Sequence, residues 1–245
     1  MSSRKTALVT GAAARIGAAI STDLHRRGCD LALHFNANEP AAAQLAGRLN
    51  RERAGSAFTV QADLSDPDSV ARLASQVAGH WDSLSVLVNN ASRFYPTAVG
   101  ETLAWQWADL VDSNLRGPYF LVQALLEPLR TAGGSVVNIL DVYAERPMRG
   151  HAVYCISKSG LAMMTRALAK ELGPALRVNG VSPGAILWPE NELTDAAKQA
   201  ILRRTVLGRL GRASDIASAV SYLALDAPYV TGQILAVDGG RSLNI

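Results

Sequence analysis

The sequence places a tyrosine, a lysine and a carboxylic acid where they can share one site. Tyr154 and Lys158 are four residues apart, and Asp141 stands thirteen residues before the tyrosine, directly after the apolar run Val-Val-Asn-Ile-Leu. Residues four apart on a helix lie on the same face, so both side chains can reach one point. An ammonium group beside a phenol lowers the phenol's pKa and makes it a better proton donor or acceptor near neutrality. The three residues together indicate acid–base chemistry.

A glycine-rich segment near the N-terminus indicates a phosphate site. The stretch LVTGAAARIGAAI contains Gly11 and Gly17, and Arg15 stands where the dinucleotide fingerprint usually has its middle glycine. Backbone N–H groups of such a turn can approach a pyrophosphate, and the dipole of the following helix favours the negative charge. A turn of small residues built for close packing would also explain the motif, so it is weak by itself.

The end of the second predicted strand bears on the choice between NAD and NADP. The segment HFNANEP contains His34, Asn36 and Asn38 but no acid before Glu39. An acid at this place binds the ribose 2′-hydroxyl of NAD and repels the 2′-phosphate of NADP. Amides can donate hydrogen bonds to a phosphate, and Arg15 can lie beside it as a cation. The sequence favours NADP, although an exposed turn would also explain these residues.

The elements that must position these residues alternate between short aliphatic runs and longer amphipathic stretches. The strand-like runs are residues 7–10, 31–35, 57–63, 84–90, 134–140, 176–183 and 233–240. The helix-like stretches are residues 16–28, 39–53, 66–80, 101–130, 153–173, 195–204 and 213–226. Strands that are apolar throughout are typical of parallel sheets covered on both faces. The pattern predicts one α/β domain over residues 1–245, a doubly wound Rossmann fold with a seven-stranded parallel sheet.

Composition excludes several classes of function. The net charge is +3, and the 20 arginines and four lysines are spread without a basic run, so we expect no nucleic-acid partner. No stretch approaches the roughly 18 consecutive apolar residues of a membrane helix. The N-terminus enters a strand at once, which leaves no room for a signal peptide. Cys29 and Cys155 suggest reduced thiols and a cytoplasmic protein, and the four histidines lack metal-binding spacing, so we expect no metal.

Over its whole length the sequence resembles the short-chain dehydrogenase/reductase family. The resemblance rests on TGAAARIG, QADLS, NNAS, the Tyr-x-x-x-Lys pair, SPG and VDGG. It implies that Asp63 contacts adenine, that Asn90 and Asn114 stabilise the sheet and a water relay, that Tyr154 donates a proton, and that Lys158 binds the nicotinamide ribose.

The predicted NADPH site combines the residues above with their neighbours in these motifs. It comprises Gly11, Arg15, Ile16, Gly17, His34, Asn36, Asn38, Asp63, Leu64, Asn90, Ala91, Ser92, Tyr154, Lys158, Pro183 and Gly184. The predicted catalytic residues are Asn114, Asp141, Tyr154 and Lys158.

Two departures from the family pattern resemble its pteridine reductase branch. Most members have a serine where Asp141 stands and a glycine where Arg15 stands, and the segment NNASRFYPT also matches that branch. The resemblance implies that Phe94 stacks a pterin against the nicotinamide, that Ser92 and Arg15 contact the pterin, and that Asp141 pairs with Tyr154. The implied activity is NADPH-dependent reduction of dihydropterin or dihydrofolate-type substrates to tetrahydropterins.

Several alternatives stay open at the level of sequence. Asp141 can be a protonated acid that feeds a proton through Tyr154, an ionised group that accepts hydrogen bonds from a pterin 2-amino group, or a simple turn cap. Phe94 can be an ordinary core residue. A carbonyl reductase of the same family, acting on 3-oxoacyl thioesters or sugar alcohols, is the second hypothesis, and the acid in the serine position speaks against it. The third is a non-catalytic dinucleotide sensor.

Residues 185–205 resemble the family's mobile flap over the substrate. Trp188 can either roof the pocket or pack within the flap. Ala37 stands where a phosphate-binding arginine is expected, so NADP binding depends more on Arg15 and the asparagines. The long helices 101–130 and 153–173 have apolar faces beyond what one sheet needs, and the family pairs such helices across two-fold axes. We therefore expect a homotetramer, or failing that a dimer.

Overall fold

The computed structural model describes residues 4–188 and 193–244 of the chain. The strands are β1 (Thr6–Val9), β2 (Asp30–Phe35), β3 (Ala57–Gln61), β4 (Val86–Asn89), β5 (Ser135–Ile139), β6 (Arg177–Pro183) and β7 (Ile234–Val237). They form one parallel sheet in the order β3-β2-β1-β4-β5-β6-β7. The predicted doubly wound seven-stranded sheet is confirmed.

The helices connect these strands and cover both faces of the sheet. They are α1 (Arg15–Arg26), α2 (Glu39–Glu52), α3 (Pro67–His80), α4 (Ala104–Val111), α5 (Gly117–Ala124), α6 (Leu126–Ala132), α7 (Ala152–Leu172), α8 (Asp195–Arg203) and α9 (Ala213–Ser221). Asn38 and Asp66 begin α2 and α3, because each side chain accepts a hydrogen bond from a backbone N–H in the first turn.

The core consists of two apolar layers, one on each face of the sheet. Alternate residues of each strand enter opposite layers: Leu8 packs beneath α3, α5, α6 and α7, whereas Ala7 and Val9 pack beneath α1, α2 and α9. In β4, Leu87 faces the same layer as Leu8, whereas Val86 and Val88 face the layer beneath α1, α2 and α9. Burial on both faces explains why the strands are apolar throughout instead of alternating.

The predicted single helix over 101–130 is wrong in detail, because the structure divides it into α4, a wider π-type turn, α5 and α6. Pro118 has no N–H to bond the carbonyl of Asn114, and in this turn the N–H of Gly117 bonds the carbonyl of Asp112 instead. Pro128 likewise has no N–H to bond the carbonyl of Ala124, and the helix is interrupted there between α5 and α6. The predicted helix 213–226 similarly ends in a π-type turn after α9.

The topology directs the chemistry to one edge of the sheet. Successive strands proceed from β1 outward to β3 and then return to β4 on the other side of β1. Ligands of such sheets bind at the carboxyl ends of the strands, where the order reverses. No helix in the described ranges is both long and apolar enough to cross a membrane.

Candidate active site

A cavity of about 510 Å³ opens at this edge of the sheet. Most of the predicted site residues line it: Gly11, Arg15, Ile16, Gly17, His34, Asn36, Asn90, Ala91, Ser92, Asp141, Tyr154, Lys158, Pro183 and Gly184. Residues far apart in the sequence meet here because each follows the carboxyl end of a parallel strand or begins the helix after it.

The acid and the tyrosine form a direct hydrogen bond in the cavity wall. The hydroxyl of Tyr154 donates to Oδ2 of Asp141 at 2.8 Å. Oδ1 of the same carboxyl accepts the backbone N–H of Tyr143 at 2.9 Å and so caps the short 3-10 turn Val142–Ala144. Asp141 is therefore both a turn cap and the partner of the tyrosine, one oxygen for each role.

Lys158 lies beneath this pair. Its Nζ donates to the carbonyl of Ile139 at 2.9 Å and lies 5.8 Å from the centre of the Tyr154 ring. The side chain is only 2% exposed. Burial lowers the pKa of Lys158 to about 8, against the opposing charge of Asp141.

The electrostatics of the pair differ from what the sequence predicts. Burial raises the pKa of Tyr154 well above its usual value, and the charge and hydrogen bond of Asp141 raise it further. The prediction of a lowered phenol pKa is thus wrong, because burial and the carboxyl of Asp141 outweigh the ammonium of Lys158, which lies beside the ring and not beside the hydroxyl. Burial also raises the pKa of Asp141, although hydrogen bonds and nearby cations oppose it. Both groups therefore hold their protons more firmly than they would in water.

The glycine-rich turn fits a phosphate group. The residue before α1, Ala14, makes no side-chain cap hydrogen bond, and the first turn of α1 contains no acid. The helix therefore presents its first N–H groups and its dipole to an anion at the cavity. A Cβ on Gly17 would lie 2.1 Å from the carbonyl of Gly11, so this position must be glycine for helix and turn to pack.

Arg15 takes the backbone conformation of the glycine it replaces. Its φ is 53°, in the left-handed region that costs a non-glycine residue about 1 kcal/mol. Its guanidinium lines the cavity and donates to the carbonyl of Trp188 at 3.1 Å. Arg15 thus lies beside a turn that fits a phosphate, and its role as the cation of the cofactor site stays a prediction.

A family model and two known proteins match nearly the whole chain. A family model described as enoyl-(acyl carrier protein) reductase matches residues 11–242. Pteridine reductase 1 of Leishmania tarentolae is 35% identical, over 97% of this chain and 96% of that protein. The 3-oxoacyl-(acyl-carrier-protein) reductase FabG of Staphylococcus aureus is 33% identical, over 98% and 99%.

The chain belongs to the short-chain dehydrogenase/reductase family. A blue fluorescent protein from a metagenomic library, whose crystal structure is a complex with NADPH, matches it with a TM-score of 0.89 and 33% identity over 97% of both chains. The protein is therefore an oxidoreductase of this family, as predicted, and the prediction of a nicotinamide dinucleotide cofactor is confirmed at the level of NAD(P)H.

His34 lines the cavity, but both of its ring nitrogens bond to the protein. Nδ1 accepts the N–H of Gly11 at 3.1 Å, so the ring is neutral and Nε2 donates to the carbonyl of Ala62 at 3.0 Å. Burial lowers its pKa, which favours this neutral form. His34 therefore joins the glycine-rich turn to the segment after β3, and its contact with the cofactor stays a prediction.

Other predicted cofactor residues lie outside the cavity wall. Asn38 caps α2 by accepting the N–H of Ala41 at 3.2 Å. Leu64 packs in the core layer beneath α3 and α5. Asp63 pairs with Arg93 at 3.3 Å, and although burial opposes ionisation, hydrogen bonds from Ser65 and the charge of Arg93 lower the pKa of Asp63. Its carboxylate stays ionised near the place where the resemblance puts the adenine.

Asn114 holds the loop after β4 in this structure. Its amide oxygen accepts the backbone N–H of Arg93 at 2.8 Å, and its nitrogen donates to the carbonyl of Arg93 at 3.0 Å and to Ser157 at 3.1 Å. The side chain therefore clamps the residue between Ser92 and Phe94.

Phe94 lies beside Tyr154 and not in the core. Its side chain is 50% exposed, one ring face stacks on His151 with 4.8 Å between centres, and its ring meets Tyr154 at 81°. The alternative of ordinary core packing is therefore wrong.

Part of the predicted flap, residues 185–205, lies at the cavity. Ile186 and Leu187 line the cavity, and residues 189–192 are outside the described part of the chain.

Three residues that support the site are not among the predicted ones. The hydroxyl of Thr10 accepts the N–H groups of Asn90 and Ala91 at 2.9 and 3.0 Å and so holds the loop after β4 against the glycine-rich turn. A hydroxyl directly before Gly11 is a local signal for this contact. The backbone N–H of Tyr143 donates to Asp141 and the hydroxyl of Tyr143 accepts from Arg241, and no sequence pattern indicates either contact.

Proposed function

We propose that this protein is an NADPH-dependent pteridine reductase, reducing dihydropterin or dihydrofolate-type substrates to tetrahydropterins. The observation that carries the proposal is the hydrogen bond between Tyr154 and the carboxyl of Asp141 in the cavity wall. A ketone needs only a neutral donor for the alkoxide that forms, and a hydroxyl at this position suffices. A pterin presents ring nitrogens that must be protonated as hydride arrives, and a second acid suits that need.

The residues of the chain divide the work as follows. NADPH, when bound, supplies the hydride to a ring carbon of the substrate. Tyr154 gives its proton to the adjacent ring nitrogen, and Asp141 in its protonated form replaces that proton. Burial raises the pKa of both groups, so each holds its proton more firmly than it would in water. Lys158 holds the nicotinamide ribose, and Arg15 with Asn36 holds the ribose phosphate.

A carbonyl reductase of the same family is the alternative. Relatives of both activities have similar identity to this chain, 35% and 33%, so overall similarity does not separate them. The two activities are separated by measuring the loss of NADPH absorbance with each of three candidate substrates. These are dihydrobiopterin, dihydrofolate and an acetoacetyl thioester. Turnover of the thioester alone would reject the pteridine proposal, and the absence of turnover with all three would favour a dinucleotide sensor.

The cofactor preference is expected to be for NADPH over NADH. β2 ends without an acid for a 2′-hydroxyl, and Arg15 and Asn36 line the cavity on this side. Arg15→Gly should narrow the preference by removing a cation, and should also raise the free energy of unfolding, because glycine relieves the left-handed backbone. Arg15→Lys is the control that retains both charge and strain. Equal kcat/KM for the two cofactors in the wild type would contradict the prediction.

Phe94→Ala should raise KM for the pterin far more than KM for NADPH. Stacking on a flat heterocycle is worth about 1–3 kcal/mol by analogy with base–aromatic stacking, which corresponds to roughly a 5- to 150-fold change. Tyr229→Ala, at an aromatic residue that is fully exposed away from the cavity, is the matched control. An unchanged KM for the pterin would remove Phe94 from the substrate site.

We also propose a cytoplasmic homotetramer of single-domain subunits. Two separate apolar surfaces support this assembly, because a tetramer with two-fold symmetry needs at least two kinds of interface. The first, on α5 and α7, exposes Tyr119, Phe120, Ile156 and Met163, and the second, beside β7, exposes Val206, Leu207, Leu235 and Leu243. The mass in solution, by light scattering, separates the tetramer from a dimer, and a monomer at micromolar concentration would reject both.

A further inference from the structure

Arg241 is a buried cation close to the active site. It begins the last 3-10 turn of the chain, Arg241–Leu243, directly after the two glycines that follow β7. The residue is 6% exposed. Arginines are rarely buried to this extent unless a partner compensates the loss of water.

The hydrogen bonds of Arg241 do not supply that compensation. One guanidinium nitrogen donates to the hydroxyl of Tyr143 at 3.0 Å, and the other terminal nitrogen donates to the carbonyl of Ile201 in α8 at 3.2 Å. Both acceptors are neutral, and within the described ranges the guanidinium pairs with no carboxylate at salt-bridge distance. Its charge also lowers the pKa of Asp141, although by less than the hydrogen bonds of that carboxyl and the charge of Lys158 do.

Tyr143 connects the guanidinium to this acid. Its hydroxyl accepts from Arg241, and its backbone N–H donates to Oδ1 of Asp141 at 2.9 Å. The other carboxyl oxygen, Oδ2, faces Tyr154. One end of the contact chain is thus the C-terminal turn, and the other is the proton donor of the site.

The charged and titratable groups around Asp141 come from four segments. Tyr154 and Lys158 lie on α7, Tyr143 on the 3-10 turn and Arg241 on the C-terminal turn, and Arg15 lines the same cavity from α1. Lys158 and Arg241 are the two buried cations of this set. Lys158 is already engaged by the carbonyl of Ile139 and, in the proposed reaction, by the cofactor ribose. Arg241 adds a positive charge that no substrate or cofactor role requires.

We propose that Arg241 is a positioning residue: through Tyr143 it fixes the carboxyl of Asp141 opposite Tyr154, and its charge stabilises the ionised form of that carboxyl. The arrangement sets the balance that a relay acid needs. A buried acid with no cation nearby would hold its proton too firmly to pass it on. With Lys158 and Arg241 nearby, the ionised carboxyl is stabilised, so Asp141 can release its proton and later take up another. The kinetic part of this inference rests on the proposed pterin reduction.

The kinetic test is the pH profile of kcat/KM for dihydrobiopterin. The relay requires protonated Asp141, so activity should fall as pH rises through the pKa of this group. Arg241→Met removes the charge, which raises the pKa of Asp141 and moves the falling limb to higher pH. Arg241→Lys should leave the limb near its wild-type position, and Tyr143→Phe should lower kcat without moving the limb. Superimposable limbs for Arg241→Met and wild type would overturn the proposal.

A second test needs no substrate. The folded protein holds the Asp141 proton more tightly than the unfolded chain, so this group's contribution to the free energy of unfolding is lost as pH rises from its ordinary pKa of 3.8 toward the raised folded value. In Arg241→Met, the free energy of unfolding should continue to fall up to a higher pH than in the wild type. When Asp141→Asn is also present, this difference in pH dependence between Arg241→Met and the wild type should disappear. Denaturant unfolding at several pH values measures both variants.

The outcomes separate the two proposals. A penalty for Arg241→Met that is equal at every pH and unchanged by Asp141→Asn would show that Arg241 only supports the fold, which overturns the inference. If Arg241→Met does not fold, Arg241→Gln retains a donor for Tyr143 without the charge, and the same comparison applies. Failure of the wild type to reduce any pterin would reject the proposed function and leave the unfolding test of Arg241 intact.

Discussion

Tyr154→Phe is expected to lower kcat by about 10²–10⁴-fold while leaving NADPH binding largely unchanged, since the variant loses only the transferred proton. The hydroxyl is the group that points to Asp141, and the ring remains to pack against Phe94 and Lys158. Steady-state turnover with dihydrobiopterin, together with NADPH titration by fluorescence, measures the two effects separately.

Lys158→Ala is the companion variant and should damage both turnover and cofactor binding. Lys158 is 2% exposed, so the stability of the variant must be checked by thermal unfolding before its kinetics are interpreted. If Tyr154→Phe retained more than about a tenth of the wild-type rate, another group would be the principal proton donor.

Asp141→Ser should reduce pterin turnover by about 10²-fold if the acid belongs to the proton relay. Serine restores the hydroxyl that most of the family has at this position and removes the second acid. Weak activity toward simple ketones or diketones should survive or rise. The measurement is kcat and KM for dihydrobiopterin beside a diketone, with the same enzyme preparation.

Asp141→Asn distinguishes the acid from a binding group. Its amide oxygen can still accept the N–H of Tyr143, and its nitrogen can donate to the oxygen of Tyr154 as a protonated carboxyl would, but it has no proton to transfer. A fall in kcat with both variants supports the relay. A rise in KM alone would assign Asp141 to the pterin amino group, and an Asp141→Ser variant as fast as wild type would remove the main chemical support for pterin reduction.

Much of the cofactor half of the site follows from local sequence. Gly11, Arg15 and Gly17 lie close together on the chain, and a turn between a strand and a helix has few conformations, so their arrangement is decided within about ten residues. The left-handed φ of Arg15 agrees with its place in the glycine pattern. His34 shows the limit of this reasoning, because its partners in the β1 turn and after β3 take both ring nitrogens.

The fold itself follows from patterns that repeat along the chain. Apolar runs and amphipathic stretches alternate because the inner strands β1, β2, β4, β5 and β6 are buried on both faces, and this requirement is visible in each segment separately. The break of the predicted helix 101–130 is also local in origin, since Pro118 and Pro128 each remove a helical hydrogen bond.

The chemistry of the acid pair was decided by tertiary structure. The spacing of Tyr154 and Lys158 on one helix face predicts their proximity, but it also predicts a lowered phenol pKa, whereas burial and the carboxyl of Asp141 raise it. A pKa depends on the water and charges that surround a group, and these come from segments distant in sequence. Arg241 lies 100 residues beyond Asp141, and only the folded chain brings its charge to the acid.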